Sequence, residues 1–502
     1  MNAPARAMTL PAGVRTELRA RALAAAVAGS LLLAAGCAPR QELLTMDRLA
    51  QAGPAPIAGS AAPGGQLPEL RAGSPLADYI LYASLSNPGL QAAFHRWMAA
   101  LDRVPQARAL PDPQLSYSVF VRREQVNPTR QEFVLSQTFP WFGKRGLAAR
   151  AASEAANAER QRFEAARLAL RDEVQAAWHE CRYLGRAIEV VEGNVQLLRR
   201  LEAALRTRFA AGLAPHGDLI KLQVELDELE DRLRSLQDLR APLAARLDAA
   251  LNRKGPGPFP EAAETPGEPI AATAEQLLAM LKESSPELKA LDAEVAKEQA
   301  SVERAKKDFY PDVMLGLDYM DMADPGMRDP AAAMITLSLP IWRGKYAAGV
   351  REARSMHLAA LAERRDQENA LAARLQVALY GFRDADRKIG LYRETLIPRA
   401  SQALAVKQQE FEGGKAPLID VIDAERTLLE FQLSLERARA DHAQRRSEVE
   451  RLVGRELSAG VGFPRGRCAR GGRSDPSDPS DLSDQPARKV AGGRPAPTAN
   501  DQ

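Results

Sequence analysis

The 502-residue chain carries 68 Lys and Arg against 65 Asp and Glu, a net charge of +3, and only 5% aromatics. A balance this close to neutral, with no basic patch interleaved with aromatics, argues against a nucleic-acid partner. The abundance of Ala, Leu, Arg and Glu is the composition of long helices and coiled coils.

Taken in order, the chain opens with a localising signal. Arg15, Arg19 and Arg21 precede an apolar run from Ala22 to Ala35, too short to span a bilayer, so residues 1–36 read as a secretory signal peptide. The run ends in Leu33-Ala34-Ala35-Gly36-Cys37, which resembles a bacterial lipobox. Acylation of Cys37 would anchor the mature chain in lipid, each buried CH₂ contributing about 0.8 kcal/mol. Ala38 rather than Asp follows the cysteine, the pattern that in lipoproteins favours the outer membrane. The open alternative is an ordinary signal peptide with an incidental cysteine. Cys181 and Cys468 alone would remain, too few and too differently placed for a disulfide framework. Residues 37–75, rich in Ala, Pro and Gly, read as a lipidated tether.

From 76 to 456 the chain is a tandem repeat, 76–252 and 273–456, joined by a Pro/Gly-rich linker at 253–272. Asn87-Pro88 answers Ser285-Pro286, Pro111-Asp112 answers Pro311-Asp312, and Phe139-Pro140 answers Leu339-Pro340. Gly143-Lys144 answers Gly344-Lys345, Phe209 answers Phe411, and Pro215 answers Pro417. The tail, 457–502, has little apolar content to fold around and reads as disordered.

Each copy repeats one internal order. A helix comes first, over Leu90 to Gln106 and again over Glu287 to Asp308. Two runs of period two follow, which argue for strands and a hairpin. They are Leu115 to Val119 with Phe133, Leu135 and Phe139, and then Val313, Leu315, Leu317 and Tyr319 with Ile335, Leu337 and Leu339. Next comes a Pro-free stretch, Lys144 to Ala211, that as one helix would reach about 100 Å. Its counterpart, Lys345 to Glu412, meets one proline, Pro398, where a kink is expected. After a turn, Leu219, Leu222, Leu226, Leu229, Leu233 and Leu236 form a heptad seam on a returning helix. Val421, Ala424, Leu428, Phe431, Leu435 and Ala438 repeat it.

The two turns read FAAGLAPHGDLIK (209–221) and FEGGKAPLIDVID (411–423). Glycine permits a left-handed helix end and proline sets the start of the next helix. The fold expected is mainly α with a small β part: tandem-duplicated long helical hairpins plus four strands. Four strands cannot close a membrane barrel, which needs about eight or more. An open sheet would leave its edges bare, so several copies would have to pool their strands. The apolar face would then meet lipid, and Ser116, Ser118, Asp318, Thr336 and Ser338 would face a lumen. A soluble sheet of two hairpins is the bland alternative.

This order of elements, with the Leu135-Ser136-Gln137-Thr138-Phe139-Pro140 to Gly143-Lys144-Arg145 stretch and the Leu418-Ile419-Asp420-Val421-Ile422-Asp423-Ala424 string, resembles the TolC family of outer membrane efflux proteins. The resemblance covers roughly 75–456. It implies a homotrimer with four strands per protomer in a twelve-stranded transmembrane β-barrel, and an α-barrel crossing the periplasm. It also implies docking on a periplasmic adaptor (membrane fusion) protein and an inner-membrane pump of the RND type. Substrate would pass through without chemistry. No Walker A, GxSxG or HExxH pattern is present, so the chain reads as no enzyme and as needing no cofactor. A type I secretion duct and a lipid-anchored periplasmic coiled-coil scaffold are the alternatives.

By the same resemblance, Asp218, Asp420 and Asp423 match the acids that narrow the periplasmic end, and Phe411 matches a gate tyrosine whose hydroxyl is missing here. Ala416 stands where a gate arginine would be. Arg208, Gly212, Leu213, Gly414 and Lys415 match the tips that meet the adaptor. Asp420 and Asp423, three apart on a helix, would stack as carboxylate rings that attract cations; the simpler reading is that Asp420 favours the helix N-terminal dipole. Met314, Met320 and Met322, near Met327 and Met334, offer soft thioethers suited to Cu(I) or Ag(I), or else plain apolar filling. The five histidines show no ligand spacing. The Gly143-Lys144-Arg145 stretch leans, by resemblance, toward the heavy-metal branch.

Overall fold

The computed structural model describes residues 68–120, 129–212, 214–255, 257–260, 269–322 and 329–457. The signal peptide, Cys37, Leu213, Met327, Cys468 and the tail beyond 457 lie outside them.

The first copy comprises α1 (Leu76–Ser86), α2 (Pro88–Arg108), β1 (Gln114–Val119), β2 (Thr129–Phe139), α3 (Lys144–Ala210), α4 (His216–Asp238) and α5 (Arg240–Ala250). The second comprises α6 (Ala274–Ser284), α7 (Pro286–Lys307), β3 (Val313–Met322), β4 (Ala331–Leu337), α8 (Arg343–Leu391), a π turn (Tyr392–Leu396), α9 (Ile397–Glu412) and α10 (Leu418–Val453). The long helix α3 has 67 residues, as the absence of proline allows. Among the described residues no helix is long and apolar enough to cross a membrane.

Pro398 interrupts the second copy by a specific device. Proline has no N–H to offer the carbonyl four residues back, and its ring collides with that carbonyl. The chain widens into the five-residue π turn just before it, and Ile397 N–H reaches back to Tyr392 O. The returning helix behaves differently in the two copies, where similar behaviour was expected. α10 runs unbroken for 36 residues, whereas its counterpart breaks at Leu239 into α4 and α5. Pro242 sits in the first turn of α5, where a missing N–H costs least.

Helices α1 and α6 were not anticipated. Thr273 caps α6 in a reciprocal box with Gln276, a pattern present in the sequence. At the α1–α2 corner, the Asn87 side chain accepts from Leu90 N–H at 3.1 Å and donates to Ala250 O at 3.0 Å.

Among the described residues three apolar cores result. One joins α1 and α5 to α3 through Tyr79, Phe163, Trp178 and Leu247. A second joins α6, α8 and α10 through Leu277, Leu281, Leu375 and Leu452. The third lies between the far half of α3, α4, α9 and α10 and contains Leu198, Leu222, Val421 and Leu429. The heptad seam supplies it: Leu219, Leu222, Leu226 and Leu229 are buried, with Leu233 and Leu236 packed at its edge.

The strands form one antiparallel sheet in the order β1-β2-β3-β4. Both hairpins are present, and β2 pairs with β3 to join the two copies. Leu339 falls outside β4, because the strand ends where Ser338 N–H donates to Asp312 O at 3.0 Å and Pro340 follows.

Candidate functional site

The register places every expected apolar strand residue except Leu339 on one face of the sheet. Leu115, Leu135, Leu317 and Ala333 make one row, and Tyr117, Phe133, Tyr319 and Ala331 the next. The Tyr117 and Phe133 rings pack at 4.8 Å. Among the described residues nothing covers this face: Leu115 is 70% exposed and Ile335 71%. Contiguous apolar surface of this kind marks contact with protein or lipid. The opposite face carries Ser116, Ser118, Glu132, Thr138, Asp318 and Thr336. Met314, Met320 and Met334 share that polar face, and Thr129 Oγ1 donates to Met322 Sδ at 3.8 Å. Among the described residues no three His, Cys, Asp or Glu gather as a metal site.

The sheet meets the helices at a rigid joint. Gly143 takes φ +89°, a left-handed conformation open to glycine, and α3 starts at the next residue. Lys144 Nζ donates to Asp312 Oδ1 at 2.9 Å and to Tyr310 O at 3.2 Å, and Trp141 N–H donates to the same Asp312 oxygen at 2.7 Å. Arg145 Nε donates to Arg108 O at 2.9 Å. Gly143, Lys144 and Arg145 thus fasten strands of both copies onto the helices.

At the far end, Gly212 (φ +73°) and Gly414 (φ +69°) make matching left-handed turns. Their amides donate to Phe209 O at 2.9 Å and Phe411 O at 3.0 Å. Asp218 and Asp420 fall in the first turns of α4 and α10, where a carboxylate also favours the helix dipole. Lys415 is exposed at the tip.

The candidate gate residues separate into two environments. Phe411 is buried at 9% exposure in the third core, beneath the Arg208 guanidinium. Its repeat partner Phe209 is exposed and packs on His216 at 5.2 Å. Asp420 is half-buried and receives Lys407 Nζ at 3.2 Å. Lys407, held above the ordinary lysine range by Glu410 and then by Asp420, is a residue that sequence reading missed. Asp423 is exposed on the same helix face.

A second missed group lies one turn further. Glu425, only 1% exposed, interrupts the buried row Val421, Ile422, Leu428 and Leu429. Burial, and then the charge of Glu225, pushes its carboxyl up to about 7 against the pull of Arg426. Arg426 Nε donates to Glu225 Oε1 at 2.8 Å and ties α10 to α4. A charged residue at i+3 and i+4 from apolar positions was the available signal.

Between α3, α8 and α10 lies a hollow of about 840 Å³ lined by Arg171, Arg393 and Arg439 with His179 and His442. Burial, then Arg182, pulls His179 down to about 4. Asp386 lies 3.9 Å from His442.

Comparison with known proteins agrees with this arrangement. The sequence pattern of the outer membrane efflux protein family matches residues 81–253 and 277–455. The cobalt-zinc-cadmium resistance protein CzcC of Cupriavidus metallidurans is 26% identical over 384 residues, 74% of this chain and 88% of CzcC. Nodulation protein T of Rhizobium leguminosarum bv. trifolii is 22% identical over 383 residues, 72% of this chain and 82% of that protein. Among solved structures, the outer membrane protein VceC of Vibrio cholerae shares the fold with a TM-score of 0.65 at 21% identity, over 76% of this chain and 97% of VceC. CusC does so with a TM-score of 0.68 at 14% identity, over 79% of this chain and 97% of CusC. With both copies matched, the chain belongs to the outer membrane efflux protein family and is an outer membrane efflux channel.

Proposed function

We propose that three copies of this chain pool their sheets into one closed barrel and their helices into one tunnel. The assembly serves as the exit duct of a tripartite efflux system. The observation that carries this reading is the four-stranded sheet whose apolar face no described residue covers while its polar face lines up Ser116, Asp318 and Thr336. Lipid covers the first face and the edges pair between copies, so no ladder is left open. In a detergent-solubilised preparation the expected outcome is a trimer by sedimentation and discrete conductance in planar bilayers. A monomer without conductance overturns the proposal.

The long helices, about 100 Å by their residue count, would carry the duct across the periplasm to the tips at Gly212 and Gly414. Arg208, Gly212, Leu213, Gly414 and Lys415 are the surface offered to a periplasmic adaptor, and an inner-membrane pump of the RND type supplies the energy. Asp218, Asp420 and Asp423 form the constriction. Phe411, buried beneath Arg208, supports that constriction from behind. Acylation of Cys37 tethers each protomer; metabolic labelling with palmitate should mark the wild type and not Cys37→Ser.

Divalent metal cations are the cargo class we favour over secreted protein, because the relative of 26% identity is named for cobalt-zinc-cadmium resistance. Expression with its own adaptor and pump in a sensitive strain should restore growth in Zn²⁺, Co²⁺ or Cd²⁺. No restoration for any of the three would remove this cargo class.

A further inference from the structure

Glu425 lies on α10 within the core that joins the two copies near the tip. Among the described residues neither of its carboxyl oxygens has a hydrogen-bond partner. An ionised carboxylate held this way gives up its hydration for nothing, which folded proteins avoid by keeping the group neutral or moving it. The charges acting on it are Glu225 from α4 and Arg426 from its own helix. Arg426 is already committed: it grips both oxygens of Glu225 and lies 3.6 Å from Glu228.

Several other charges at this end of the bundle are engaged with one another, while Lys221, Asp227 and Asp423 are exposed. On α3, Arg199 donates to Glu230, and Glu202 accepts from Arg206 and Gln223. On α9, Lys407 bridges Glu410 and Asp420. The position equivalent to Glu425 in the first copy is Gln223, a neutral amide donating to Glu202 at 3.1 Å. The repeat therefore places a permanently neutral group at one site and a titratable one at the other.

We propose that Glu425 is a proton-operated latch between α4 and α10. Neutral, it lets the Arg426–Glu225 clamp hold the two copies together; ionised, it competes with Glu225 for Arg426 and drives the helices apart until water reaches it. Its role in opening the duct rests on the tip being the closing end. The latch itself does not.

The test uses the full-length trimer in detergent. Spin labels on Asp227→Cys and Thr427→Cys, both exposed, report the α4–α10 distance in a Cys468→Ser background. Infrared difference spectra report protonated carboxyl. From pH 6 to pH 8 the ratio of ionised to neutral Glu425 changes about a hundredfold. A protonated-carboxyl band and the labelled distance should titrate together with a midpoint near 7. Glu425→Gln should lose that band and hold the short distance throughout. Glu225→Gln, which removes the opposing charge and frees Arg426, should lower the midpoint. A wild type with no carboxyl titrating near neutrality, a Glu425→Gln variant with an unchanged midpoint, or a Glu225→Gln variant with an unmoved one would each overturn the latch. Bilayer conductance separates this from the gate. Conductance rising in step with the distance supports a latch that works the gate. A distance that titrates under flat conductance supports the latch and sinks the placement of the gate at this end.

Discussion

The Arg208 guanidinium lies over the ring of Phe411, 5.2 Å from its centroid, and donates to Phe411 O at 3.2 Å. One side chain at the end of the first copy therefore closes the end of the second. Replacing Arg208 with Ala removes a cation–π contact and a charged hydrogen bond, a loss of about 1–2 kcal/mol. We expect a lower unfolding midpoint in detergent and more frequent openings in bilayers, with Arg208→Lys intermediate. Equal stability and equal open probability in the alanine variant would count against the contact.

The two acids on α10 should act unequally. Asp420 is partly neutralised by Lys407 at 3.2 Å, whereas Asp423 is exposed. Asp423→Ala should therefore weaken block by divalent cations more than Asp420→Ala does. The double variant should raise conductance, and Lys407→Met should strengthen cation block. Identical currents in all four would reject the carboxylate constriction.

Gly143 at φ +89° should tolerate no side chain without strain, although a Cβ there would meet only Lys307 Cε at 3.9 Å. Gly143→Ala should cost about 1–2 kcal/mol by conformation alone. The variant should insert into the outer membrane in lower yield, measured by membrane fractionation. Normal yield would show that the joint can relax.

Opposite pH signatures follow from two of the buried titratable groups, Glu425 and His179. The folded-state value of Glu425 is raised to about 7 from 4.5, so its favourable contribution is fully present below about 4.5 and fades as pH rises through 7. That of His179 is lowered to about 4 from 6.5, so its neutral burial helps above about 6.5 and is lost, by up to about 3 kcal/mol, as pH falls toward 4. Unfolding midpoints across pH should show Glu425→Gln flattening the alkaline limb and His179→Gln the acid limb. Unaltered limbs in either variant would contradict its assignment.

Cys181 is buried, and burial followed by the charge of Glu180 pushes its thiol up to about 12. In a Cys468→Ser background the folded protein should not react with a thiol reagent at pH 8, and guanidinium should release the full signal. Rapid labelling without denaturant would show that this core opens.

Much of the fold was legible along the chain because its signals are periodic. The 198-to-202-residue offset, the Pro-free run to Ala211, the seam from Leu219 and the alternation at Leu115 are local regularities, and each became the expected element. Misses came where one residue altered a longer pattern. Pro242 divided the return helix in one copy, and the helices α1 and α6 were too short for periodicity to reveal, while Pro398 interrupted its helix where expected, by way of a π turn.

The sequence by itself therefore determined the repeat, the two hairpins of helix, the left-handed turns at Gly212 and Gly414, and the two faces of the sheet. These depend on backbone sterics and on solvent preference, which act residue by residue. Only the tertiary structure decided which turn residues were free to act. It buried Phe411 beneath Arg208 while leaving Phe209 exposed, set Lys407 against Asp420, and enclosed Glu425 without a partner beside the Arg426–Glu225 clamp. Apart from the Lys407–Asp420 pair, 13 residues apart across one turn, those outcomes depend on which helix passes which, some 200 residues apart in the chain, and burial and charge pairing acquire their energies at that crossing.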